Sequence, residues 1–197
     1  MTEHGLHVYH GGNGLPRCPW CKGDALYERY HDEEWGTPVH DDRLHFEFLV
    51  LESFQAGLSW LTVLRKRARF RERFTGFDPE AVAAFSDETL DDIRGDAGVI
   101  RNRAKIAAAR TNARAFLTVA EEFGSFDRYI WGFVAGTPLV NRPRSLDEVP
   151  ARTELSDTVS GDLRSRGFTF VGSTMVYAHL QATGIVDDHL AGCFRAE

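Results

Sequence analysis

The sequence has little of what would place it outside an ordinary folded domain. Three cysteines in 197 residues are too few for a disulfide scaffold and odd in number, which fits a reducing compartment. No apolar run approaches the ~20 residues that cross a bilayer, and the opening MTEHGLHVYHGGNGLP lacks the basic flank and apolar stretch of a signal peptide. These absences point to the cytoplasm and to no membrane partner. Internal repeats and low-complexity tracts are missing, so solenoid and disordered readings fall away. Strand-like alternation is almost absent, whereas helix-period patterns with cap signals fill the chain, so the expected fold class is all-α.

Positive charge is also in deficit, with a formal net charge of -6, which argues against a generally basic nucleic-acid binder. Its distribution is uneven. Residues 65–73, RKRARFRER, carry six positive charges and one negative, and residues 101–114, RNRAKIAAARTNAR, carry five positive and none negative. Two basic runs on an otherwise acidic chain raise the prospect of a polyanion partner, against the plainer reading of solvated helix faces.

The pattern predicts a helix capped by Asp41 or Asp42 and running to Gly57, then one capped by Ser59 through WLTVLRKRARFRERF. Asp78-Pro79 starts a short helix and Ser86 another, to Ile93. After a turn at 96–100 comes a long helix from about Arg101 to Glu122, then one from Phe126 to Val134. Residues 136–155 hold three prolines and no helical period, which predicts a long surface connection. Helices over 156–166 and 173–183 follow, with Gly167 and Gly184 as stops.

Four groups of residues carry chemistry. Cys18 and Cys21 are spaced C-x2-C, His31 follows, and His189 and Cys193 lie one helical turn apart. These are five candidates for the four ligands of a closed zinc site, which would clasp the two ends of the chain and leave no position open for catalysis. Trp20, Tyr27, Tyr30 and Trp35 crowd one polar segment, as either core or a slot for a flat ligand. Glu52 interrupts the apolar run FEFLVLESF, where a carboxylate is either partnered or functional, and Trp60 follows it across the QAGLSW break. The turn DAGVIRNRAKI resembles the hairpin of helix-hairpin-helix motifs, with Ile100 in place of the usual second glycine. Such a turn aims backbone amides and a helix N-terminus at a phosphate, and Arg101, Arg103 and Lys105 suit that neighbour.

The stretches YERYHDEEWG, LESFQAGLSWLTVLRKR, DAGVIRNRAKI, RGFTFVGSTMVYAHLQATGIVDDH and HLAGC resemble the DNA-3-methyladenine glycosylase I family over residues 17–194. That resemblance implies an all-helical helix-hairpin-helix glycosylase that hydrolyses the N-glycosidic bond of 3-methyladenine in alkylated duplex DNA. It implies structural zinc on Cys18, His31, His189 and Cys193, with Cys21 surplus. It puts the base pocket at Glu52, Tyr30 and Trp60, with Trp20, Tyr27 and Trp35 near it and Glu52 as the catalytic carboxylate. Tyr30 and Trp60 are expected to sandwich the base. DNA contact is expected from Gln55, Leu58, Gly98, Ile100, Arg101 and Arg103, with Leu58 filling the gap left by the extruded base. Residues 1–16 lie outside the match and read as a flexible tail. Residues 17–197 read as one domain, with the helix-hairpin-helix near 86–122, and the chain reads as a monomer that releases free 3-methyladenine without lyase chemistry. Two other classes compete with this reading, a non-catalytic zinc-containing DNA-binding protein and a zinc hydrolase of small metabolites.

Overall fold

The computed structural model describes residues 7–196. Its first element is not a loose tail. Strands β1 (Tyr9–His10) and β2 (Pro16–Arg17) pair antiparallel, and the Tyr9 hydroxyl donates to Glu28 Oε1 at 2.8 Å. What was expected of residues 1–6 lies outside the described residues. Helix α1 (Ala25–Glu33) follows, with Asp24 accepting from the amides of Leu26 and Tyr27 at its N-terminus. Periodicity misses this helix because its buried positions are Tyr30 and His31 rather than aliphatic residues.

Helix α2 (Asp42–Gln55) is the axis of the molecule, for every residue from His45 to Phe54 is buried. A helix buried on all sides needs neighbours all round. They are α3 (Trp60–Arg73), α6 (Arg103–Phe123), α7 (Phe126–Gly132) and α9 (Ser173–Ala182). Between α3 and α6 lie α4 (Pro79–Ala83) and α5 (Asp87–Gly95). Helix α6 buries Ile106, Ala109, Ala113, Phe116 and Val119 along one stripe and ends on Gly124 at φ +87°, a left-handed cap that favours glycine. The helical stops at Gly167 and Gly184 also have positive φ.

Lys105 departs from expectation. Its ammonium is buried and donates to the carbonyls of Phe54 at 3.1 Å and Ala56 at 2.9 Å, so it satisfies the open C-terminus of α2 instead of facing phosphate. The first basic run is largely paired with carboxylates, with Arg67 buried and Arg65, Arg69 and Arg71 on the surface. Arg65 pairs with Asp24, Arg67 with Glu34 and Glu47, Arg69 and Arg73 with Asp96, and Arg71 with Glu47. Arg110 and Arg114 donate to the carbonyls of Phe85 and Ala83. Most of the cationic pattern is therefore partnered within the protein, α3 with carboxylates and α6 with backbone carbonyls. Arg101 and Arg103 are exposed and have no carboxylate partner among the described residues.

The 136–155 connection contains β3 (Leu139–Val140), which pairs in parallel with β4 (Val186–Asp187) beyond α8 (Glu154–Ser165) and α9. Gly184 sits at φ +68°, and a Cβ there would meet Pro38 N at 2.5 Å. That closeness lets the amides of Gly36 and Val39 bond the carbonyls of Gln181 and Thr183, and it brings α9 against the loop after α1. No helix of the described residues is long and apolar enough to cross a membrane.

Candidate active site and metal corner

Helices α1, α2, α3 and α9 enclose a cavity of about 230 Å3, walled by Trp20, Tyr27, Tyr30, Trp35 and Trp60, with Glu52, Gln55, Gln181 and Asp188 as its polar lining. The aromatic residues expected near the pocket thus share one space, and Gln55, expected at the DNA contact, stands on its lining. Tyr30 and Trp60 do not form a parallel slot. Their centroids are 5.6 Å apart and their planes cross at 55°, whereas a sandwiched ring needs faces roughly 7 Å apart, twice the ~3.5 Å contact distance. They form a corner in which a flat ligand stacks on one ring and meets the other at an edge.

Two polar atoms in this wall have no protein partner. Glu52 Oε2 and Trp60 Nε1 are both buried and unbonded. Burial alone pushes the Glu52 carboxyl up to about 8, since no cation lies near enough to offset the desolvation. One carboxyl and one indole N–H, left open among stacked rings, form a donor–acceptor edge for a planar ligand with its own polar rim.

Behind the pocket lies a sulfur–imidazole corner. The ligand atoms of Cys18, His31 and Cys193 lie within 4.8 Å of one another, and all three residues are buried. His189 stands beside this trio, edge-on to His31 with 5.2 Å between centroids. Its Nε2 is buried without a partner. Cys21 is turned away, its thiol donating to the Cys18 carbonyl at 3.1 Å. Two thiols and two imidazoles are a donor set that zinc takes, and His189 Nε2, unpartnered beside the trio though outside its 4.8 Å group, is the available fourth donor. Trp20 and Trp35 pack edge-on against each other at 5.0 Å, and Trp20 also meets His31 at 5.3 Å. The indoles of the pocket are therefore the packing partners of the corner.

On the rim, Gly57 at φ +85° turns the chain between α2 and α3 and leaves Leu58 43% exposed. The α5–α6 turn carries Arg101 and Arg103 outward. Its Gly98 amide is already bonded to Asp96 Oδ1 at 2.7 Å, and a Cβ at Gly98 would meet Arg69 Cγ at 2.5 Å. Gly98 therefore shapes the turn, and the α6 N-terminus carries the outward amides. The pattern reading missed Asp188, a buried acid that accepts from Tyr177 Oη, from Gln181 Nε2 at 2.7 Å and from Asn141 Nδ2 at 2.7 Å. Its signal was the Asp-Asp pair directly before His189. Leu146 and Val149, which also line the pocket, sit in a proline-rich connection that gives no such signal.

The methyladenine glycosylase family model matches residues 20–196. DNA-3-methyladenine glycosylase 1 of Escherichia coli (strain K12) is 46% identical over 179 residues, 91% of this chain and 96% of the relative. A crystal structure of 3-methyladenine DNA glycosylase I superposes with a TM-score of 0.87 at 46% identity, over 90% of this chain and 98% of that one. The Staphylococcus aureus 3-methyladenine DNA glycosylase I, solved to explain 3-methyladenine recognition, matches with a TM-score of 0.89 at 32% identity, over 92% and 96% of the two chains.

Proposed function

The chain belongs to the methyladenine glycosylase family, and from that membership we propose how its pocket works as a DNA-3-methyladenine glycosylase that releases 3-methyladenine in base-excision repair. The observation that carries the reading is the pair of orphaned polar atoms, Glu52 Oε2 and Trp60 Nε1, buried in one aromatic cavity. Alkylation at N3 makes adenine cationic in DNA and already a good leaving group. The enzyme's task is therefore to evert the base and hold it, at a cost of a few kcal/mol in lost stacking and pairing.

The everted base stacks in the Tyr30–Trp60 corner, with Trp20, Tyr27 and Trp35 closing the other sides. A cationic ring over these faces gains roughly 0.5–2 kcal/mol. Glu52 accepts from the rim of the base and balances its charge, and Glu52 is the catalytic carboxylate of this reading. Helix α6 holds no acid before Glu121, so it offers no general base beside the turn, and water attacks after the base departs. Lysine chemistry is unsupported, for Lys105 is bound to two carbonyls and Lys66 donates to the Ala97 carbonyl.

Duplex DNA lies across the α5–α6 hairpin, with Arg101, Arg103 and the amides that follow Ile100 on the phosphates and Gln55 and Leu58 at the vacated base position. Cys18, His31, His189 and Cys193 would hold one zinc ion, which supplies no reaction chemistry when all four positions are protein ligands. Its service is structural. The test is release of free bases from methylated duplex DNA, where the wild type frees 3-methyladenine and Glu52→Gln loses most of that activity. Equal release by the two proteins removes Glu52 from this role.

A further inference from the structure

We propose that Arg17–Asp32 and Arg142–Asp187 are two positioning relays that fix His31 and His189 as Nε2 donors to one metal ion. The proposal rests on the zinc reading above and adds residues that the ligand pattern does not contain. Asp32 Oδ1 meets His31 Nδ1 at 2.8 Å, and Arg17 grips the same carboxylate with Nε at 2.8 Å and Nη2 at 2.7 Å. Asp187 Oδ1 meets His189 Nδ1 at 2.7 Å, and Arg142 Nη1 lies 2.6 Å from Asp187 Oδ2. The order arginine–aspartate–histidine Nδ1 recurs on both sides of the corner, with a two-point grip at Arg17 and a single ion-pair contact at Arg142, although the two halves come from segments far apart in sequence.

The physical logic is tautomer selection. A neutral imidazole carries its proton on one nitrogen, and a carboxylate beside Nδ1 keeps it there. The Nε2 lone pair of His31 then faces Cys193 Sγ, 3.4 Å away, and that of His189 faces the same buried interior. Each arginine neutralises its carboxylate; Arg17 also fixes the plane of Asp32 with a two-point fork, whereas Arg142 meets Asp187 through Nη1 alone, as an ion pair. Arg142 holds its place at φ +53°, a left-handed conformation that costs a non-glycine residue free energy. The β3–β4 pairing sets it there, with the Asn141 amide on the Asp187 carbonyl at 3.0 Å. Both arginines also grip the segment after Cys193. Arg142 Nε donates to the Ala196 carbonyl at 2.8 Å, and the Arg17 guanidinium lies over the Phe194 ring at 5.6 Å.

The experiment has two readouts. In protein dialysed free of metal, nitrogen-15 imidazole spectra of the wild type should show His31 and His189 as Nδ1–H tautomers. Asp32→Ala and Asp187→Ala should each move their own histidine toward Nε2–H and leave the other unchanged. In chelator competition with Zn2+, each variant should bind about 10–100-fold more weakly than wild type. Asp32→Asn and Asp187→Asn, which keep an acceptor oxygen, should fall between and serve if an alanine variant does not fold. Wild-type tautomers and wild-type Zn2+ affinity in the aspartate variants overturn the relays. A wild type that shows the tautomers and takes up no Zn2+ overturns the metal reading and leaves hydrogen-bonded histidines without a metal role.

Discussion

The indole of Trp35 meets the imidazole of His189 edge to face, with 4.6 Å between centroids and planes at 71°. One wall of the base pocket therefore rests on one proposed metal ligand, and whatever disturbs the corner reaches the pocket through that contact.

Zinc removal gives the first prediction. Cys193→Ser should lose bound zinc and melt roughly 5 °C or more below wild type, the size of a ~2 kcal/mol loss in a chain of this length. It should also bind free 3-methyladenine less well, because Trp35 and Trp20 lose their backing. Cys21→Ser, whose thiol points out of the cluster, should keep its zinc. Elemental analysis with thermal melts checks both, and full zinc in Cys193→Ser would defeat the ligand assignment.

Gly36 is the second case. It lies at φ +74°, and a Cβ there would stand 2.5 Å from His189 Cε1. Gly36→Ala should therefore cost more than the ~1–3 kcal/mol of a strained backbone alone and should displace His189. Metal content lower than wild type, in protein that still folds by circular dichroism, is the expected result.

The third prediction follows from the raised carboxyl of Glu52, about 8 against an ordinary 4.5. Folded protein holds this proton in a range where unfolded chain has lost it, so the contribution of Glu52 to stability falls as pH rises from about 4.5 to about 8, by at most about 1.4 kcal/mol per unit. Glu52→Gln should remove that slope and melt higher than wild type above pH 8. Binding a cationic base should expel the proton, so calorimetry in buffers of different ionisation heat should register proton release near pH 7 in wild type and none in the variant.

These predictions separate what the pattern showed from what it could not. The helical body was legible because caps such as Asp41, Ser59 and Ser86 stand directly before the helices they start, and local chemistry sets helix ends. The pocket aromatics were legible as a cluster, though their crossing angle is a tertiary property. Charge was misread at Lys105 because a sequence displays a cation without its partner, and along 65–73, where the run stays a largely solvated helix face, the acids outside α3 that pair with it lie 19 to 41 residues away. Helix α1 and Asp188 were missed for a related reason. Their burial is decided by rings and hydrogen bonds contributed from elsewhere in the chain.

That distinction yields the fourth prediction. Arg103→Ala should weaken binding to damaged and undamaged duplex alike and flatten the salt dependence by about one phosphate contact. Lys105→Met should leave the salt slope unchanged and instead lower stability by about 1–3 kcal/mol, the penalty for leaving the α2 carbonyls open. A flattened slope in Lys105→Met would return it to the DNA surface.

Leu58 carries the fifth. Leu58→Ala should slow excision from duplex DNA at least several-fold while leaving affinity for free 3-methyladenine at the wild-type level, because the side chain stands outside the pocket and acts only where a stack must be held open. Unaltered duplex excision would remove the wedge.

The union of distant segments at the sulfur corner also sets an order of events during synthesis. His31 and Cys193 are 162 residues apart, and closing a loop of that length costs about 4–5 kcal/mol of chain entropy before any bond repays it. At a ribosomal pace of roughly 5–20 residues per second, the residues around Trp20 and Trp35 wait many seconds for the strand that completes them. A nascent chain stalled before His189 would leave its indoles with neither that imidazole nor Cys193 behind them, and chaperones would meet it in that form.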